Sequence, residues 1–457
     1  MVKRRAEIVV EESQYLIHSK QHARRKFVAE GSATSIARNL STVYITPFAL
    51  AIGANSAQIG FLSSFAGLFS PLGQLFGSKM MEKQTRRKIV ARGTLIQILF
   101  WLPIISLSYF SWKGIGSQYL PYFLVAFFSI FIFAQGMKHP AWFSWIGDLV
   151  PEKERGKYFS KRNRTNGILG LTAFFIAAFL LDYFKTRGLA LLGFSIIFVM
   201  SLFFREASHN FLRKIFSPKF KLKKGYYFSF WSFLKTYDNY GKFAVFQAAF
   251  YFSVMISAPF FAVYMLENLE FSYVAFTIVS MSSMVFYLLF VPLAGKFSDR
   301  YGNLKLFYVA GFLFPIVPLL WIFLKTPIFL ILFPGLISGI ANSAFIMSVT
   351  NFTYDSVSPQ RRGLCVAYSS LLTGIGIFLG SVLGGLLIQY SNITFMEPIF
   401  FVFLLSSILI FISSLIFLPH IKEIKKTEKM KGFSVDVQHP FKTVQSDVVW
   451  FKNFFKN

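Results

Sequence analysis

The 457-residue chain has a single cysteine, Cys365, and few acidic residues, with 20 Asp+Glu against 47 Lys+Arg. One cysteine permits neither an intrachain disulfide nor a multi-cysteine metal site. Charged residues of both signs make up only 15% of the chain, well below the roughly 25% of a soluble domain. That scarcity excludes a soluble enzyme, and the apolar content excludes a disordered chain. The first 26 residues are polar and basic and lack the apolar core of a cleavable signal peptide, so the first apolar segment is expected to act as its own insertion signal. No catalytic constellation stands out: the apolar segments hold no carboxylate pair, and neither metal-spaced His/Cys nor a phosphate-binding glycine loop occurs. No enzyme activity, no cofactor and no metal are expected.

What the chain does have is apolar length. Hydrophobic residues make up 54%, phenylalanine alone numbers 60, and the mean hydropathy is +0.54. Uncharged apolar runs of 18 or more residues read as membrane helices. Twelve such windows fall near 29–53, 57–78, 89–111, 118–147, 160–183, 186–205, 242–266, 272–296, 304–325, 327–354, 364–390 and 395–418. The predicted fold is therefore an all-α integral membrane protein. Its expected organisation is an N-terminal segment (1–26), a six-helix bundle (27–205), a basic linker (206–241), a second six-helix bundle (242–418) and a basic, amphipathic tail (419–457). The stretch 226–236 and the tail stripe Val444, Val448, Phe451 and Phe455 have the pattern of helices lying on a membrane surface.

The net charge of +27 then finds an explanation. Lys113, Lys185, Arg187 and Lys325 fall in one set of loops, and Arg38 and Lys138 fall inside spans. The other 41 of the 47 cations lie in the N-terminal segment, the alternate loops and the tail. Cytoplasmic loops carry the excess of Lys and Arg, which places both termini in the cytoplasm of a multi-pass plasma-membrane protein. The basic loops then face the anionic lipid of the inner leaflet. Charge spread over so many segments, without a nucleic-acid-binding motif, gives no nucleic-acid partner. A monomer is expected.

The two halves repeat. The fourth span ends in Asp148-Leu-Val-Pro-Glu-Lys-Glu-Arg155-Gly156 and the tenth in Asp355-Ser-Val-Ser-Pro-Gln-Arg-Arg362-Gly363. Gly167/Gly374 and Tyr183/Tyr390 keep the same register, and Pro71-Leu72 of the second span matches Pro292-Leu293 of the eighth. Parallel six-span repeats about an axis along the membrane normal characterise one large class of transporters. After the eighth span comes Gly295-Lys-Phe-Ser-Asp299-Arg300-Tyr-Gly302-Asn-Leu-Lys305. With this motif the chain resembles the major facilitator superfamily over residues 27–418. The resemblance implies alternating access, with Gly295, Asp299, Arg300 and Gly302 forming a cytoplasmic latch in the outward-open state. Asp299 suits a helix N-terminus and Arg300 a carboxylate. The first-half copy, Gln74-Leu-Phe-Gly77-Ser78-Lys79, has Ser78 in place of the aspartate. Serine caps a helix without charge, so the inward-open state is expected to be easier to reach. Asp148 is expected to pair with Lys79 or a nearby arginine and Asp355 with Arg300, while Arg155 and Arg362 mark the repeated spacing. The glycine–proline signature of span five in many proton–drug antiporters is missing from Asn166-Gly167-Ile-Leu-Gly170.

In the family's fold, spans one, four, seven and ten line the central cavity. Arg38 on span one and Lys138-His139 on span four each lie about nine residues from a span end, some 13 Å deep. A mid-membrane charge is costly and marks a functional site by default. Thr42, Gln135 and Trp142 extend the patch at helical spacing, Gln247, Tyr251 and Ala258 form a stripe on span seven, and Asn342 of span ten is expected to complete the lining. Every Asp and Glu falls at a span end or outside the spans. The expected substrate is thus a small organic anion moved by a secondary or facilitative transporter. The alternatives are an exporter of amphipathic, drug-like compounds and a non-transporting membrane sensor of the same fold.

Overall fold

The computed structural model describes residues 2–151, 154–218, 229–236, 238–358 and 361–424, without the side chains of 2–18 and 155–157. Lipid offers a buried backbone no hydrogen bonds, so each crossing must satisfy its own N–H and C=O groups as a helix. The N-terminal bundle comprises α1 (Val2–Leu40), continued after a turn by α2 (Ile45–Ala51), then α3 (Ser56–Lys83), α4 (Arg86–Trp112), α5 (Leu120–Leu149), α6 (Arg155–Lys185) and α7 (Ala190–Arg213). The short α8 (Phe230–Thr236) precedes the C-terminal bundle. That bundle begins with α9 (Asn239–Ser257), extended by α10 (Phe260–Val263), and continues with α11 (Tyr273–Tyr301) and α12 (Asn303–Leu313), extended by α13 (Ile316–Phe323). It ends with α14 (Pro327–Leu330) leading into α15 (Leu336–Ser356), then α16 (Arg362–Tyr390) and α17 (Pro398–Phe417). Together these make twelve transmembrane helices in two pseudo-symmetric bundles. Among the described residues, eleven helical segments are long and apolar enough to cross a membrane. The first crossing carries Glu30 and Arg38 and stays below that apolar threshold.

Two helices outrun the hydropathy windows by the most. α1 extends back to Val2, and α7 runs to Arg213, two turns beyond the expected end at 205. On α7, Ser201, Arg205, Ser208, His209 and Leu212 are all buried, and their spacing is that of one helical face. Polar residues turned toward the protein interior depress hydropathy without ending a helix. The surface stretch expected at 226–236 is helical over Phe230–Thr236, while residues 226–228 and the tail stripe lie outside the described residues.

Helices approach closely where side chains are missing. A Cβ on Gly380 of α16 would sit 2.1 Å from the Phe252 carbonyl of α9, and one on Gly60 of α3 would sit 2.5 Å from the Ser381 carbonyl. Small residues permit such backbone contact in membranes, and the α3–α16 pair forms one seam between the bundles. The other seam is α6 against α11. On the face opposite the start of α1, the Asp182 carboxylate accepts hydrogen bonds from the Tyr273 and Val274 amides (2.6 and 2.9 Å) at the start of α11. Beneath it, Tyr44 donates to the Phe174 carbonyl (2.8 Å) and lies 3.0 Å from Thr277 Oγ1. The bundles are thus tied together at that distal face.

Candidate functional site

A cavity of about 510 Å³ opens in the N-terminal bundle between α1, α5, α6 and α7, with Met284 of α11 facing it from the other bundle. Its size lies within the usual range for small-molecule sites. Arg38, Gln135, Lys138, His139 and Trp142 meet on its wall, joined by Glu30, Arg162 and Arg205. Among the described residues, three arginines and one lysine therefore face a single carboxylate.

These cations differ in their partners. The Arg162 guanidinium lies 3.7 Å from Glu30, sits 4.9 Å over the Trp142 ring and donates to the Phe27 carbonyl (3.4 Å). Glu30 also accepts from Thr34 (2.9 Å) and Ser208 (3.3 Å) at Oε1, while its Oε2 faces the Arg162 guanidinium without a hydrogen bond. Lys138 reaches across to α4, donating to Gln97 Oε1 at 2.6 Å, with Thr94 Oγ1 at 3.5 Å. Arg205 is only 3% exposed, and its side chain makes no hydrogen bond or ion pair among the described residues. Its guanidinium lies 5.7 Å from the centre of the Phe131 ring. Arg38 also has no ion pair among the described residues, and its side chain is exposed to the cavity. A buried cation without a direct hydrogen-bonding or ion-pair partner is expensive, and the lining sets its cations against Glu30 alone, giving a wall of net positive potential.

The family's sequence model, described as the Major Facilitator Superfamily, matches residues 31–236 and 243–455. The chain belongs to the Major Facilitator Superfamily. Solved transporters share the fold at low identity. A mutant form of the nucleoside transporter NupG has a TM-score of 0.68 at 14% identity, covering 88% of this chain and 100% of that one. A bacterial homologue of the iron transporter ferroportin in an inward-facing state has a TM-score of 0.67 at 16% identity, covering 87% and 98%. For an outward-facing structure of such a homologue the TM-score is 0.58, at 15% identity with the same coverage. An auto-inhibited peptide transporter of the POT family has a TM-score of 0.67 at 10% identity, covering 90% and 99%. No curated protein sequence matches the chain.

In this superfamily chain the remaining candidate residues separate. Gln247 and Tyr251 line a second cavity, of about 400 Å³, bounded by α3, α9, α15 and α16. Thr42 lines neither cavity, because α1 ends at Leu40 and the turn over Thr42–Tyr44 breaks the helical register with Arg38. Asn342 donates to the Ser338 carbonyl (2.8 Å) one turn back and to its hydroxyl (3.2 Å), satisfying itself within α15 instead of completing a cavity wall.

The candidate latch residues form local networks at the helix ends. Asp148 pairs with Arg86 at 2.6 Å, taking the nearby arginine rather than Lys79, which is exposed. Arg86 also donates to the Ser144 and Pro218 carbonyls. Asp355 accepts from Asn303 at 3.0 Å. Arg86 and Asn303 are the first residues of α4 and α12, so in each bundle the repeated aspartate is bound by the start of the equivalent helix. Asp299 and Arg300 end α11, whose stop is Gly302 at φ +96°, a backbone angle that favours glycine. Gly295 lies further up α11. Ser78 donates to the Gln74 carbonyl within α3. Arg362 donates to the Tyr354 and Val357 carbonyls (both 3.1 Å), a cation on the C-terminal end of α15. Its counterpart Arg155 opens α6, and its side chain lies outside the described residues.

Sequence reasoning missed Arg205, Arg162 and Glu30. It placed all three at span ends, where charge is ordinary. For Arg205 a signal was present in the helical spacing from Ser201 to Leu212. The Glu30–Arg162 pair, between α1 and α6, left no such trace in the sequence.

Proposed function

We propose that this protein carries a small organic anion across the membrane by alternating access, with the N-terminal cavity as the anion site. The observation that carries the reading is Arg205, a buried cation with no hydrogen bond or ion pair among the described residues, on the same wall as Arg38 and Lys138. After Arg162 is set against Glu30, three cations remain for a substrate. A carboxylate or phosphoryl group entering there gains charge-assisted hydrogen bonds and relieves an uncompensated buried charge. The four-cation wall repels a metal ion, so the iron of the ferroportin homologue is a poor guide to this substrate.

The positive-inside distribution of Lys and Arg supports a cytoplasmic location for the face where α1 begins. The Asp182 and Tyr44 contacts between the bundles then lie outside, which supports an inward-facing state. Rocking of one bundle against the other exposes the cavity to each side in turn.

The test is counterflow in proteoliposomes, with succinate, gluconate or inorganic phosphate inside and a trace of the labelled anion outside. Accumulation by the native chain and its loss in Arg205→Ala are expected. Counterflow supported equally by neutral or cationic compounds would overturn the reading.

A further inference from the structure

The second cavity is the repeat-mate of the first. In the register that equates Asp148 with Asp355, Arg162, Asn163, Asn166 and Gly167 of α6 correspond to Ser369, Ser370, Thr373 and Gly374 of α16. The first four line the N-terminal cavity and the second four line the C-terminal one. The same helical face was thus duplicated as a cavity wall. What changed is its chemistry. Arg162 became Ser369, and Lys138 became Phe345, which is packed flat on Phe250 at 4.5 Å and seals the position. The C-terminal cavity has no Asp, Glu, Lys, Arg or His on its lining.

It is nonetheless rich in hydrogen-bonding groups. Gln247 is 7% exposed, and its Oε1 accepts from Ser369 at 2.7 Å. In this orientation of the amide, Nε2 has no partner among the described residues. Ser370, Thr373 and the Tyr251 hydroxyl line the same space and likewise make no side-chain hydrogen bond among the described residues. Donors and acceptors of both kinds, beside an aromatic ring and without charge, match a ligand that carries several hydroxyls. Such a group exchanges water for directed hydrogen bonds, and a site built to pair with hydroxyls discriminates strongly against ligands that lack them.

We propose that the C-terminal cavity binds an uncharged polyhydroxyl group. Resting on the anion reading above, and on both cavities opening onto one space between the bundles, this makes the substrate a hydroxylated organic anion, its charge held by the N-terminal bundle and its hydroxyls by the C-terminal one. The cavity touches both bundles, because Gly67, Ser70 and Pro71 of α3 close it against α16. Its occupant is therefore released when that seam moves.

The experiment is a binding titration on the purified full chain. It compares bare anions (succinate, inorganic phosphate), their hydroxylated counterparts (glucuronate, glucose 6-phosphate) and neutral polyols (glucose, inositol). The hydroxylated anions should bind at least tenfold more tightly than the bare ones. Gln247→Ala should erase that gain while leaving the bare anions unchanged, and Arg205→Ala should weaken both anion sets. Thr373→Val, which preserves shape, provides a second reading if Gln247→Ala fails to fold, and it should cut the gain severalfold. Neutral polyols binding in a Gln247-dependent and Arg205-independent way would assign the cavity to a separate uncharged solute, with the polyhydroxyl chemistry retained. That pattern with no anion binding at all would sink the anion reading but not this cavity. Equal affinity for bare and hydroxylated anions, with no polyol binding, would overturn the proposal and leave the anion site standing. A gain untouched by Gln247→Ala and Thr373→Val would also overturn it.

Discussion

Arg205 and Arg162 face the same cavity, and their surroundings predict opposite consequences when each is removed. Arg162 is set against Glu30, so Arg162→Ala leaves a buried carboxylate with only hydroxyl partners. Breaking such a pair costs about 3–5 kcal/mol, and a clear fall in thermal stability is expected. Arg205 makes no hydrogen bond or ion pair among the described residues. Arg205→Ala should leave the melting temperature unchanged or raise it, while weakening anion binding by about 10- to 100-fold, the equivalent of one hydrogen bond to a charged group. Parallel melting curves and binding titrations on the two variants check this. A loss of stability in Arg205→Ala would mean that Arg205 is a structural cation. Lys138 lies between these cases, because Gln97 and Thr94 hold its ammonium group on the α4 side of the wall. Of the two cations singled out in the sequence, Arg38 is thus the more available to a ligand.

Among the elements, α11 carries the contact most specific to the conformation. Its first turn presents free amides, and Asp182 at the end of α6 accepts from two of them across the bundle boundary. A carboxylate at a helix N-terminus is worth about 0.3–1 kcal/mol, and up to about 2 kcal/mol when partly buried. Asp182→Asn should therefore shift the equilibrium toward the outward-open state by roughly two- to thirtyfold. In a Cys365→Ser background, which removes the one native thiol, a Val279→Cys reporter lies buried on the distal side. Its labelling by an impermeant maleimide added from outside should accelerate by that factor in Asp182→Asn. Unchanged labelling would show that Asp182 does not hold the gate. Gly60→Ala should act in the same direction, because the added methyl group meets the Ser381 carbonyl across the other seam.

Across the whole molecule, what could be read in advance follows from how far an interaction reaches along the chain. Helices were legible because each satisfies its hydrogen bonds locally, and the repeat was legible because Asp148 and Asp355 keep their spacing. The start of α1 and the end of α7 were not, since hydropathy cannot tell a polar residue facing solvent from Arg205 facing a protein interior. Pairings between helices far apart in sequence were equally hidden. Nothing near Asp148 singles out Arg86, and nothing near Asp355 singles out Asn303, until the bundles bring the helix ends together. The cavity wall was half legible: Arg38 and Lys138 were conspicuous inside apolar runs, whereas Glu30 and Arg162 were disguised as ordinary charges at span ends.

The asymmetry between the bundles has a consequence that belongs to no single residue. Its cations stay with the protein while the N-terminal cavity is exposed to either side, and Glu30 is already matched by Arg162. An anion carried without a compensating ion therefore moves net charge. One elementary charge crossing 100 mV is worth about 2.3 kcal/mol, roughly a fiftyfold change in the accumulation ratio. Uptake of the anion into proteoliposomes should rise when a potassium diffusion potential makes the interior positive and fall when the sign is reversed. Flux indifferent to the imposed potential, with anion present on both sides, would instead assign obligatory exchange of like charges. The three uncompensated cations would then never cross the cycle without an anion bound.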